Sequence, residues 1–219
     1  MKLVLPGQSA TRSLIPWKQA APCCLLLLCS IALTACGSSR PLRYHSIDLP
    51  PRAHNQAAAD PFPVSLLVGH IVAPHIYREN KLVYLTEDNE IHMYEAHRWV
   101  EPPTEILENL VVQTLRESGR FRSVQLQRSK TRGDFLLRGR LVHFDEITGP
   151  RPAARIRLEV ELYDINSGMT VWSQTYSAEE PVAGKGVPSM VASLQRATDT
   201  TLAALSSGLA KYFSTRPAH

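Results

Sequence analysis

Apolar and polar positions change period several times along this chain, and each change marks an element. The cleanest stretch is 154–164, where Ile156, Leu158, Val160 and Leu162 alternate with Arg155, Arg157, Glu159 and Glu161. One apolar and one charged face predict a strand in a sheet covered on one side. Residues 64–72 form a short apolar run of strand length, stopped by Pro74. Further β-like segments follow at 81–85 and at Ile91, Met93 and Tyr94, with Thr86-Glu87-Asp88-Asn89 as turn chemistry between them. Residues 121–127, 134–146 and 169–177 read as three more strands, and Asn166-Ser167-Gly168 is a hairpin signal.

Two segments switch to a helical period. Ile106, Leu107, Leu110, Val111, Thr114, Leu115 and Ser118 line one face of a helix that starts near Pro103 and stops at Gly119. Val187, Met190, Val191, Leu194, Thr198, Thr201, Leu202, Leu205, Leu209 and Tyr212 keep the same spacing over a longer amphipathic helix. Strand runs joined by short turns, with two one-faced helices, predict an α+β domain over 63–214. Its sheet is expected to be mostly antiparallel, with both helices packed on one face.

The N-terminal region has neither period. Lys2, Arg12 and Lys18 precede an apolar stretch from Cys23 to Leu33, with no acidic residue before it. That stretch suits a signal peptide of residues 1–35, since a spanning helix needs roughly 20 apolar residues. An uncleaved anchor helix is the alternative. Leu33-Thr34-Ala35-Cys36 resembles the lipobox of bacterial lipoproteins, which implies cleavage before Cys36, thioether lipidation of Cys36 and acylation of the new amino terminus. Gly37 stands where Asp commonly retains such proteins in the inner membrane, so the resemblance favours the outer membrane. Residues 36–62, rich in Pro, Ala, Ser and Arg, read as the lipidated end and a tether, with one strand-like stretch at 43–49.

Removal of the leader changes the composition argument. Cys23, Cys24 and Cys29 leave with it and Cys36 takes lipid, so the mature domain has no thiol for a disulfide. The 184 remaining residues carry 21 Lys and Arg against 20 Asp and Glu, a net +1. The basic pI of the whole chain is therefore no argument for nucleic acid.

Candidate chemistry is sparse. His92 and His97 lie five apart, as do His70 and His75, which is not the helical spacing of a zinc site. No Gly-x-Ser-x-Gly elbow occurs, and Gly184-Lys185-Gly186 lacks the rest of a phosphate loop. Asp145-Glu146 are adjacent on a predicted strand, so their side chains point apart. No catalytic residue, metal or cofactor is expected, and a periplasmic enzyme is the least supported reading. Trp99 before Pro102-Pro103 fits either packing onto the helix start or an exposed anchor for a partner.

In order along the chain stand the lipobox, Tyr44-x-x-Ile47, Ala73-Pro74-His75-Ile76-Tyr77-Arg78 and Tyr94 with Trp99-x-x-Pro102. Ser118-Gly119-Arg120-Phe121, Gly139-x-Leu141 with Phe144, Leu162-Tyr163-Asp164, Ser167-Gly168 and Val171-Trp172 follow. Their order and spacing resemble the ABC-type transport auxiliary lipoproteins, the paraquat-inducible protein C-like membrane-integrity family. The resemblance implies a non-catalytic outer-membrane lipoprotein facing the periplasm. It would dock the far end of an intermembrane lipid transport system built from an ABC transporter and a periplasm-spanning mammalian-cell-entry (MCE) protein. The alternative is an outer-membrane assembly or structural lipoprotein, for a barrel or for lipopolysaccharide export. Homo-oligomerisation stays open. Tyr77, Arg78 and Trp99 are the expected partner contacts. Tyr77 and Arg78 are expected to be exposed, so that truncating either leaves the melting temperature unchanged.

Overall fold

The computed structural model describes residues 41–50 and 62–215. The leader, Cys36 and residues 51–61 lie outside the described residues, so the expectations placed on them are not addressed by the fold. In chain order the described elements begin with β1 (Arg43–His45), β2 (Phe62–Val72), β3 (Lys81–Leu85) and β4 (Ile91–Trp99). Helix α1 (Pro103–Glu117) precedes β5 (Phe121–Leu126), β6 (Phe135–Ile147), β7 (Ala153–Asp164) and β8 (Met169–Pro181), and α2 (Val187–Ser214) ends the fold. Pro103 and Pro188 sit in the first turns of the helices, where a missing N–H costs nothing. Gly119, at φ 62°, provides the left-handed stop after α1. No helix among the described residues is long and apolar enough to cross a membrane.

The sheet is mixed, which corrects the expectation of a mostly antiparallel one. β1 with β4, β2 with β5, β2 with β6 and β3 with β6 are parallel; only β3–β4, β6–β7 and β7–β8 are antiparallel. Alternation along a strand reports which face is covered, not the direction of its neighbours. The parallel pairs arise from long crossovers, as parallel neighbours require. β3, β4 and α1 all intervene between β2 and its partner β5.

β6 is the axis of this arrangement. β7 runs along one side of it, from Phe135 opposite Asp164 to Ile147 opposite Ala153. The other side is shared: β2 pairs with residues 135–140, and β3 pairs with Glu146 and Ile147. The chain leaves the sheet after β2, crosses in loop 74–80, and returns as β3. A fork therefore opens in the sheet under that loop.

Helix α1 packs on β2 and β5, α2 packs on β7 and β8, and the two helices touch each other. They close the core on one face. Leu66, Leu107, Leu115, Leu141, Ile156, Leu158, Leu162, Leu194 and Leu202 are buried there. Truncating one such side chain to Ala costs about 2–5 kcal/mol. The charged row of β7 lies on the opposite face, where Arg138 meets Glu161 at 3.3 Å.

Segment 43–49 belongs to the domain. β1 pairs with β4 in register, Arg43 opposite His97 and His45 opposite Trp99, while Ile47 and Leu49 are buried in the core. The alternating pattern there marked a strand, as expected, but the strand is shorter than the alternation.

Candidate functional site

Loop 74–80 carries most of the residues the sequence singled out. Pro74 fixes an extended backbone, and one tight turn follows over His75–Tyr77. That turn rolls the Tyr77 ring inward, leaving it 3 % exposed, and its hydroxyl donates to the buried Asp145 carboxylate. Arg155, directly across from Asp145 on β7, donates to the same carboxylate through Nε at 3.0 Å and Nη2 at 3.2 Å. His143 approaches it with Nδ1 at 3.8 Å. Burial, and then the Asp145 charge, push the Tyr77 phenol well above its ordinary pKa. Burial and the Arg155 charge push His143 down, against a smaller opposing pull from Asp145.

This network closes the fork beneath the loop. Tyr77 is thus a strut, and the expectation that its side chain stands exposed does not hold. Its aromatic ring and Pro74 give the physical reason: a ring this large, next to a rigid turn, finds the uncovered gap between β2 and β3.

The rim of the loop is polar and open. Arg78 is exposed, as expected, and forms no ion pair among the described residues. Beside it Glu79 bonds Lys81 at 2.9 Å and lies 3.3 Å from His75 Nδ1. The hydrogen bond from Lys81, then its charge, hold the Glu79 carboxyl below its ordinary pKa. Trp99 resolves to packing: it is 1 % exposed, with its ring 5.6 Å from that of Phe144. The exposed-anchor alternative for Trp99 is excluded by its burial.

A second polar cluster lies on β3 and β4. The Tyr94 hydroxyl donates to Glu146, and the Tyr94 ring packs 4.8 Å from Tyr84, which stacks on His92. Burial raises the Glu146 pKa, and the bond from Tyr94 opposes part of that rise. The adjacent acids Asp145 and Glu146 do point apart, each to its own tyrosine. His97 is joined by His45, their nitrogens 2.8 Å apart and their rings stacked. Burial first, then the His97 charge, depresses His45, while burial first, then the Arg43 charge, depresses His97. Sequence reading missed this pair, because 52 residues separate the two and only the β1–β4 pairing brings them together.

The remaining histidines go separate ways. His70 leans on Glu108 at 3.3 Å, and that buried helix carboxylate accepts the Ile71 amide at 2.9 Å and bonds Arg128 at 3.3 Å. Here β5 has ended and the edge of β2 needs a partner, which α1 supplies. A shallow depression of about 390 Å³ on the open sheet face is lined by His70, Arg138, Arg140, Glu159 and Glu161, of mixed charge. Among the described residues no group of three His, Cys, Asp or Glu is placed to hold a metal ion.

Comparison with solved structures places this fold among known ones. Protein XCC0632 from Xanthomonas campestris, of the DUF330 family, superposes with a TM-score of 0.65 at 21% identity, over 74% of this chain and 92% of its own. An uncharacterised protein of known structure gives a TM-score of 0.60 at 19% identity, over 77% of this chain and 99% of its own. At these identities the likeness concerns the fold. No curated relative matches the sequence. Residues 46–206, however, match the family described as ABC-type transport auxiliary lipoprotein component. That match begins at the buried segment after β1 and ends within α2, so it spans nearly the whole described fold. This chain belongs to the ABC-type transport auxiliary lipoprotein component family.

Proposed function

We propose that this protein is a non-catalytic accessory of an ABC-type transport system, anchored in the outer membrane by lipid on Cys36. There it docks a periplasm-spanning MCE-domain protein. The family match over 46–206 carries the reading. The lipobox ending at Cys36, followed by Gly37, supports the anchor and its membrane. The geometry supports an accessory role, because the perturbed groups already serve the fold. Tyr77, Asp145 and Arg155 close the fork, Tyr94 holds Glu146, and His45 holds His97.

A lipid-tethered domain meets its partner at high local concentration, so modest contacts suffice. The rim of loop 74–80 supplies such contacts, with Arg78 as the exposed cation. The test is affinity capture from solubilised membranes with the full-length tagged protein. Wild type should recover the MCE-domain protein, and Arg78→Ala should recover less at an unchanged melting temperature. Recovery of a barrel or export protein instead would replace this reading with an assembly factor.

A further inference from the structure

The path from the anchor to the fold is short. β1 is in the sheet and Ile47 and Leu49 are in the core, so the chain is fixed from Arg43 onward. Had residues 37–62 all been free, the domain would have ranged about 25–30 Å from its lipid. Only residues 37–42 separate Cys36 from Arg43. Fully extended, those seven steps reach about 24 Å, and as a coil about 15 Å. With lipid on Cys36, the first strand would stay within about 24 Å of the membrane.

That strand is also an edge. β1 pairs with β4 alone, while β8 closes the opposite edge of the sheet beyond β6 and β7. Seven large apolar side chains are exposed among the described residues, and three of them gather here. Leu42 is 50 % exposed, Tyr44 58 %, and Val100, whose amide bonds the His45 carbonyl, 59 %. Arg43 is exposed on the face of the His45–His97 pair, and half-buried Arg98 lies opposite Tyr44. Of the exposed carboxylates nearby, Asp48 and Glu101 line a shallow depression with Val100 beside α1, and Glu95 lies on β4 two residues before His97. An aromatic ring with a polar tip, aliphatic neighbours and arginine is the composition that settles at a headgroup layer.

We propose that the outer edge of β1, through Leu42, Arg43, Tyr44 and Val100, rests on the phospholipid headgroups of the membrane that holds Cys36. The occupant is a lipid surface rather than a protein, because the anchor keeps this edge within about 24 Å of one. The domain then sits edge-on, with β8 directed into the periplasm. This inference rests on the anchoring reading above.

Cysteine labelling of the full-length protein tests it, since the mature chain has no cysteine besides Cys36. Leu42→Cys and Tyr44→Cys, and Met169→Cys and Thr175→Cys on β8 as controls, each carry a nitrobenzoxadiazole dye. The lipidated proteins are reconstituted into phosphatidylethanolamine–phosphatidylglycerol vesicles containing a headgroup spin-labelled lipid. Quenching at positions 42 and 44 should exceed that at 169 and 175 at least threefold. Equal quenching at all four positions in protein that floats with the vesicles overturns the edge-on contact and leaves the anchor standing. Protein that does not float overturns both.

Discussion

On one flank of β6, the meander with β7 and β8 is held by apolar interdigitation. Leu137 faces Leu162, Leu141 faces Leu158, and Phe144 faces Ile156 across the register, all beneath α2 or its neighbours. On the other flank, β3, β4 and β1 add to buried Leu82, Val83 and Trp99 a set of polar contacts that the first flank lacks: Tyr77 on Asp145, Tyr94 on Glu146, His45 on His97. The first flank buries area, which is tolerant of exact partner geometry but intolerant of charge. The second depends on specific donors and acceptors, each costly to orphan. The proposed functional surfaces, the Arg78 rim and the β1 edge, both grow from the second flank. On those proposals, recognition falls to the side of β6 opposite the apolar meander.

Substitutions can break this contrast in order of expected size. Leu158→Asp places a charge at a fully buried position on the apolar flank. It should cost on the order of 4–5 kcal/mol, or prevent folding, in urea denaturation. A tolerant Leu158→Asp would show that β7 has no covered face. On the polar flank, Tyr77→Phe keeps the ring and removes the donor to Asp145, for a loss of about 1–3 kcal/mol. Arg78→Ala beside it should leave the melt unmoved. If Tyr77→Phe is equally silent, the strut assignment fails.

The pH dependence sharpens the same contrast. His45 and His97 have pKa values below the ordinary 6.5 in the folded state, so the unfolded chain binds more protons there. Their contribution is fully present above 6.5 and is lost as pH falls through the depressed values. His143 acts in the same direction. Glu146, raised by burial, acts oppositely and gains as pH falls toward its own value. Wild type minus His45→Gln, melted from pH 7.5 to 5, should therefore leave a difference curve that shrinks toward acid. A difference independent of pH would remove the pair from the account. Least affected should be Glu159→Lys, on the solvent face of β7, which should cost only a few tenths of a kcal/mol.

How much of this was legible follows the same division. The apolar flank was readable because its signal is periodic and local: the alternation of 154–164, the Asn166-Ser167-Gly168 turn with Gly168 at φ 69°, and the helical stripe of α2. The polar flank was not. β4 runs on to Trp99, well past the alternation that ended near Tyr94, because it is held by β1 and Asn80 as much as by its own pattern. Tyr77 looked like a surface aromatic beside an arginine, since nothing local says that β2 and β3 leave a gap over Asp145. Parallel pairing, the fork and the His45–His97 contact are all long-range facts, set by which crossover lands where. Arg78 and Tyr77 are neighbours in one motif, yet one turn of backbone sends them to opposite environments.

The anchor at Cys36 is the claim on which the membrane, the partner geometry and the β1 contact all depend, and fatty-acid labelling reads it directly. Cells expressing the full-length protein are fed an alkynyl fatty acid, then lysed and fractionated on a density gradient. The account predicts a labelled wild type in the outer-membrane fraction, and a Cys36→Ala protein that is unlabelled and absent from it. A Cys36→Ala protein that keeps its label, or still sediments with outer membranes, would contradict the account.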